Sequence, residues 1–117
     1  MKIFKELKKL GYIHYSATTI EELDDLPLNS DERISEQALV LRWFREKYKL
    51  NSEVNYLPNV EKYGIITSDM AGIKPKDLSK KENFERGKKV TNNFVKYDTY
   101  EEAELACLTK LIDIVIL

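Results

Sequence analysis

The chain predicts an α+β fold. The expected core is a three-stranded antiparallel sheet with two main helices on one face, in the order α-β-β-β-α, plus an N-terminal helical segment. Three observations carry this. Apolar residues recur at helical spacing over residues 35–48, they alternate at period two over residues 52–68, and a helical period returns after Thr99. At 117 residues the chain reads as one domain, 1–117, able to bury about two-thirds of its unfolded surface. Within it, residues 1–30 form a helical and acidic N-terminal segment, 35–117 the core, and 71–93 a flexible basic loop.

In chain order, Ile3, Phe4, Leu7 and Leu10 share one face of a short helix. Lys2, Lys5, Lys8 and Lys9 surround the rest of it, and Gly11 is its stop. Tyr12 to Tyr15 reads as a brief strand. The next stretch is acidic: Glu21, Glu22, Asp24, Asp25, Asp31, Glu32 and Glu36 stand against Arg33 alone. Thr19 and Glu22 match a capping box, so a short helix is expected over 20–26, stopped by Pro27. The acids lack the ligand order and the turn glycine of a calcium loop. They are expected to be a solvated face.

The second helix is expected over 35–48, capped by Ser35, with Ala38, Leu41, Phe44 and Tyr48 on the buried face and Val40 and Trp43 flanking it. Arg42, Arg45, Lys47 and Lys49 lie where the helix dipole favours cations. Residues 53–57 and 62–68 then read as a hairpin turning at Pro58 and Asn59. Residues 94–97 read as the third strand. Between them the chain is basic, and Lys80, Lys81, Arg86, Lys88 and Lys89, with Trp43, are the candidate contacts to a nucleic acid, Trp43 being equally a candidate hot spot for a partner protein.

The closing helix has the clearest start. Thr99 and Glu102 form a T-x-x-E capping box, and Asp98, Glu101 and Glu104 place negative charge at the positive end of the dipole. Tyr100, Ala103, Cys107, Leu111 and Ile114 make one apolar stripe, with Leu105, Leu108, Ile112 and Val115 beside it. The last two turns are apolar over most of their circumference, so several elements or a second chain must cover them. A homodimer through Ile112, Val115, Ile116 and Leu117 is one way to do so.

Composition excludes more than it assigns. The formal net charge of −1 does not describe a polyanion binder as a whole. The single cysteine, Cys107, forbids an internal disulfide and fits a reducing compartment, and its place on the helix face reads as core. No apolar run approaches the ~18 residues of a membrane span, and the N-terminus does not read as a signal peptide, so a cytoplasmic location is expected. His14 is the only histidine, and no zinc-ligand spacing exists. Phosphate-binding glycine motifs, H-E-x-x-H, C-x-x-C and G-x-S-x-G are all missing. No catalytic residue, metal or cofactor is expected.

Two resemblances follow from these elements. The helix–three strands–helix order over 35–117 is similar to the double-stranded-RNA-binding fold. That family meets phosphates with basic residues at the start of its last helix, where this chain has Asp98, Glu101, Glu102 and Glu104. The blocks ALVLRWFREKYKL (38–50) and FVKYDTYEEAELACLTKLIDIV (94–115) resemble small uncharacterised proteins of bacteriophages and mobile elements of gut bacteria. In those, a WFREKYGL-like helix precedes a hairpin and a TYEEAExACLxKLIEIV-like helix closes the chain. Lys49 stands where such relatives tend to carry glycine, so the usual left-handed helix cap is not expected here. This resemblance implies no particular activity and transfers no functional residue. The expected function is a non-enzymatic accessory protein that binds another protein or itself. The alternative is a small nucleic-acid-binding module using the 74–89 loop.

Overall fold

The computed structural model describes residues 2–69 and 95–116. Its elements are α1 (Ile3–Lys9), α2 (Ile20–Asp25), α3 (Asp31–Tyr48), β1 (Leu50–Leu57), β2 (Lys62–Asp69) and α4 (Tyr100–Val115). The Thr99 hydroxyl accepts from the Glu102 amide at 3.1 Å and starts α4. That helix buries Ala103, Cys107, Leu108, Leu111, Ile112 and Ile114. It packs on both strands and also meets α1 and α3. Ile3, Phe4 and Leu7 of α1 join Leu108, Leu111, Ile112 and Ile114 in one core, so part of the apolar surface of α4 is covered from within the chain. Each such side chain, fully removed from water, stabilises the fold by about 1.5–3 kcal/mol.

The sheet has two strands among the described residues, not the three expected. β1 and β2 pair antiparallel, with Ser52 opposite Thr67 and Tyr56 opposite Tyr63. Tyr97 does exchange backbone hydrogen bonds with Tyr63, at 2.8 and 2.7 Å, but this bridge stands alone. Asp98 pairs with Lys62 immediately afterwards, and Thr99 already caps α4. The chain beyond Tyr97 is committed to the helix, and residues 95 and 96 before it add no further pair to the bridge. Phe94 lies outside the described residues. With no third strand among the described residues, these do not show the order that resembled an RNA-binding fold.

The helix expected from Ser35 begins four residues earlier, at Asp31. Ser30 is the cap, its hydroxyl accepting from the Arg33 amide at 3.2 Å. Its buried face also differs: Arg33, Glu36, Gln37, Val40 and Phe44 are inside, while Ala38 is exposed. The polar residues are buried because each has a partner. Arg33 donates to the carbonyls of Leu23 (3.4 Å), Asp24 (3.0 Å) and Leu26 (2.8 Å), closing the C-terminal end of α2. Its Nε donates to Gln37 at 2.9 Å, and Gln37 donates to Glu104 of α4 at 2.9 Å.

The acids of residues 18–36 are also more than a solvated face. Asp24 accepts from the amides of Phe4 (2.9 Å) and Lys5 (3.1 Å), supplying α1 with the cap that Lys2 does not. Glu32 and Glu36 hold the loop after α1, as described below.

Lys49 closes α3 with φ 56° and ψ 35°, in the left-handed region despite carrying a side chain. The left-handed closure not expected without glycine is thus made by a lysine. An L-residue there costs roughly 1 kcal/mol, offset in glycine by a larger loss of chain entropy on folding. Lys49→Gly is expected to raise stability by up to about 0.5 kcal/mol in urea unfolding. An equal loss would show that the lysine side chain outweighs the backbone strain.

Candidate functional site

The site begins with a helix stop. Gly11, at φ 97°, donates to the Lys8 carbonyl at 3.0 Å, and Tyr12 donates to the Leu7 carbonyl at 3.0 Å. This is a Schellman closure, and it turns the chain across α3. Residues 12–15, expected as a strand, are held by side chains instead of a neighbouring strand. The carboxylate of Glu36, 2 % exposed, accepts from the Tyr12 hydroxyl, the Tyr15 amide (3.1 and 3.2 Å) and the Ser16 amide (2.8 Å). One turn earlier on the same helix, Glu32 accepts from the hydroxyls of Ser16 and Thr18. Those two donors hold the Glu32 carboxyl below its ordinary pKa.

Between this loop and α3 lies a cleft of about 340 Å³. Tyr12, Ile13 and Tyr15 form the loop side, and Leu39, Arg42, Trp43 and Glu46 the helix side, with Gly11 at one end. Ile13 is 82 % and Tyr15 77 % exposed, the two most exposed large apolar side chains among the described residues. Trp43 is half-buried. Its ring meets Tyr12, Phe44 and Tyr48 edge-on, at 5.4, 5.1 and 5.5 Å between centroids. The Lys47 ammonium lies 5.0 Å from the Trp43 centroid and donates to the Leu10 carbonyl at 3.4 Å. Arg42 Nε donates to Glu46 at 2.9 Å, and this hydrogen bond, ahead of the charge of Glu46, keeps the guanidinium firmly protonated.

Of the residues expected to make contacts, Trp43 belongs to this cleft. Lys80, Lys81, Arg86, Lys88 and Lys89, with the rest of the 71–93 loop, lie outside the described residues, as does Leu117. Of the expected dimer surface, Ile112 is fully buried within the chain and Val115 is half-buried against the core. Ile116 is 49 % exposed. Sequence reasoning missed Glu36, Tyr12, Ile13, Tyr15, Arg42 and Glu46. The available signal was Glu32 and Glu36 one turn apart, downstream of a glycine-stopped helix.

A second group of tyrosines lies at the other end of the fold. The Tyr63 ring lies tilted at 5.2 Å from that of Tyr56 and meets that of Tyr100 edge-on at 6.2 Å. Cys107 packs inside against the sheet, where burial pushes its thiol up to about 11 despite a hydrogen bond with Ser52. It is a neutral core residue at ordinary pH. His14 sits in the loop against α3, on a different element from Cys107. Among the described residues no three metal-ligating side chains gather, and no helix is long and apolar enough to cross a membrane. No family model, curated protein or solved structure matches the chain.

Tyr12 and Cys107 together set an alkaline limit. Burial, and for Tyr12 the facing Glu36 carboxylate, makes both groups hold their protons more tightly folded than unfolded. Their stabilising effect is complete below the unfolded pKa values and is lost as pH rises towards the folded ones. The melting temperature should be level up to about pH 8 and fall steadily above about pH 9. In parallel, a thiol reagent should label Cys107 only as fast as the chain unfolds. Rapid labelling of the folded protein at pH 8 would contradict this.

Proposed function

We propose that the chain is a non-catalytic accessory protein, of the kind bacteriophages and mobile elements carry. It works in the cytoplasm by binding another protein through the cleft between α3 and the loop 12–18. One observation carries the reading: Ile13 and Tyr15 are held out into solvent by a backbone that a buried carboxylate pins in place. Apolar side chains exposed on a fixed backbone lose little freedom when a partner covers them, which favours tight association. Trp43, Tyr12, Tyr15 and Arg42, at the same place, are the residue types that dominate protein interfaces.

The test compares the wild type with an Ile13→Ser/Tyr15→Ser double variant. Both substituted side chains are exposed, so the variant should fold normally. A partner that co-purifies from bacterial lysate with the wild type and is lost with the variant supports the cleft. Partners retained equally by both count against it. If the purified wild type alone forms a dimer that the variant does not, the partner is a second copy. Nucleic acid retained by both, and released by salt, would favour the basic-loop alternative.

A further inference from the structure

We propose that the outer edge of β1 pairs with the same edge of a second copy of this chain, antiparallel about a two-fold axis at Asn55. The proposal is independent of the cleft, which is built from other elements. The direction of the backbone groups carries it. Tyr63 exchanges both of its backbone hydrogen bonds with Tyr97, so its amide and carbonyl point away from β1. In an antiparallel ladder a residue's amide and carbonyl share one side, and that side alternates along the strand. Tyr56, opposite Tyr63, therefore also turns its groups outward, and so does Val54. The side chains agree: the Tyr56 and Tyr63 rings lie 5.2 Å apart and the Ser52 and Thr67 hydroxyls 3.0 Å apart, the close approach of non-hydrogen-bonded pairs. β2 meets Tyr97 along its outer edge, whereas no described residue bonds the outward groups of Val54 and Tyr56.

Edges that stay single are usually blunted by lysine, proline or a bulge. Residues 53–57 contain neither residue type, and the register with β2 runs unbroken from Leu50 to Leu57. Such an edge accepts another extended strand, and the side chains suit its own copy. Pairing about Asn55 sets Val54 against Tyr56 of the second copy and Glu53 against Leu57, so no charge faces a like charge. Asn55 meets itself. It is exposed, its side-chain amide has no hydrogen-bond partner among the described residues, and Gly64 opposite it on β2 presents no side chain. An amide both donates and accepts, so two copies satisfy each other across the axis. Pro58 has no amide proton and ends the ladder at Leu57. The contact is short, so the dimer is weak and forms only as concentration rises.

The test uses the full chain from micromolar to millimolar concentration. The solution mass should rise from monomer towards dimer. Over the same range, solvent exchange of the Val54 and Tyr56 amides should slow, while the Glu53 and Asn55 amides, turned towards β2, stay protected throughout. Asn55→Lys, at an exposed position, should weaken association about fivefold by setting two like charges opposite each other, and Asn55→Asp should do the same. An equimolar mixture of the two variants should associate at least as well as the wild type, because unlike charges then face each other. A strict monomer at millimolar concentration overturns the proposal. So does protection of Val54 and Tyr56 that is independent of concentration, which would put a segment of the same chain on the edge. A dimer indifferent to Asn55→Lys but abolished by Ile13→Ser/Tyr15→Ser also overturns it, and seats the second copy at the cleft.

Discussion

Glu36→Ala is expected to cost about 2–4 kcal/mol, a large loss for a single polar residue. The carboxylate is buried and serves three donors: the Tyr12 hydroxyl and the amides of Tyr15 and Ser16. Removing it strands the Tyr12 hydroxyl in a site that is 3 % exposed, and frees the loop from α3. Some of the loss is returned, because an ionised group no longer has to be kept out of water. A double-mutant cycle with Tyr12→Phe separates these effects. The pair should show a coupling of about 1.5–3 kcal/mol, the range of a hydrogen bond to a charged group. Amide exchange at Tyr15 and Ser16 should accelerate in Glu36→Ala well beyond the change in global stability. If those amides stay protected, something other than Glu36 holds the loop, and the case for a pre-formed binding surface weakens.

Phe44→Ala should be more damaging still, at about 3–5 kcal/mol. Phe44 is fully buried and packs against Trp43 and Tyr48 in the core that joins α3 to α1 and α4. Domains of this size are stable by about 5–15 kcal/mol, so the variant would melt roughly 10–20 °C lower or fail to fold. Ala38→Lys provides the contrast. A stripe drawn from the sequence places Ala38 on the same buried face as Phe44, yet it is exposed. Its substitution should change stability by no more than about 0.5 kcal/mol. Urea unfolding of the two variants therefore tests which face of α3 is inside. Similar losses at both positions would rotate the helix back to the expected face.

Much of the secondary structure was legible because its causes are local. Thr19 caps α2 and Thr99 caps α4 through the amide three residues on, as their capping boxes indicate. The alternation from Val54 to Thr67 produced the hairpin, extended to Leu50 and Asp69. Gly11 stops α1 where it was expected to. The cap of α3 is Ser30 and not the expected Ser35. The earlier one also places Asp31 and Glu32 at the positive end of the dipole. The candidate site was barely legible: of its residues only Trp43 was singled out, and no property of residues 12–15 shows that they lie on α3.

The amino-acid sequence by itself determined the helix caps, the hairpin and the apolar stripes of α4, since these depend on residues a few positions apart. Tertiary structure decided what lies inside and what faces out. Glu36 is buried because amides 21 and 20 residues away point at it, and Gln37 because Glu104 stands 67 residues away. A hydrophobic period cannot register such partners, because it counts each of these residues as polar and assigns it to solvent. Partners far along the chain decide the strands too: among the described residues Tyr97 finds only one, Tyr63, and the expected third strand is reduced to that isolated bridge.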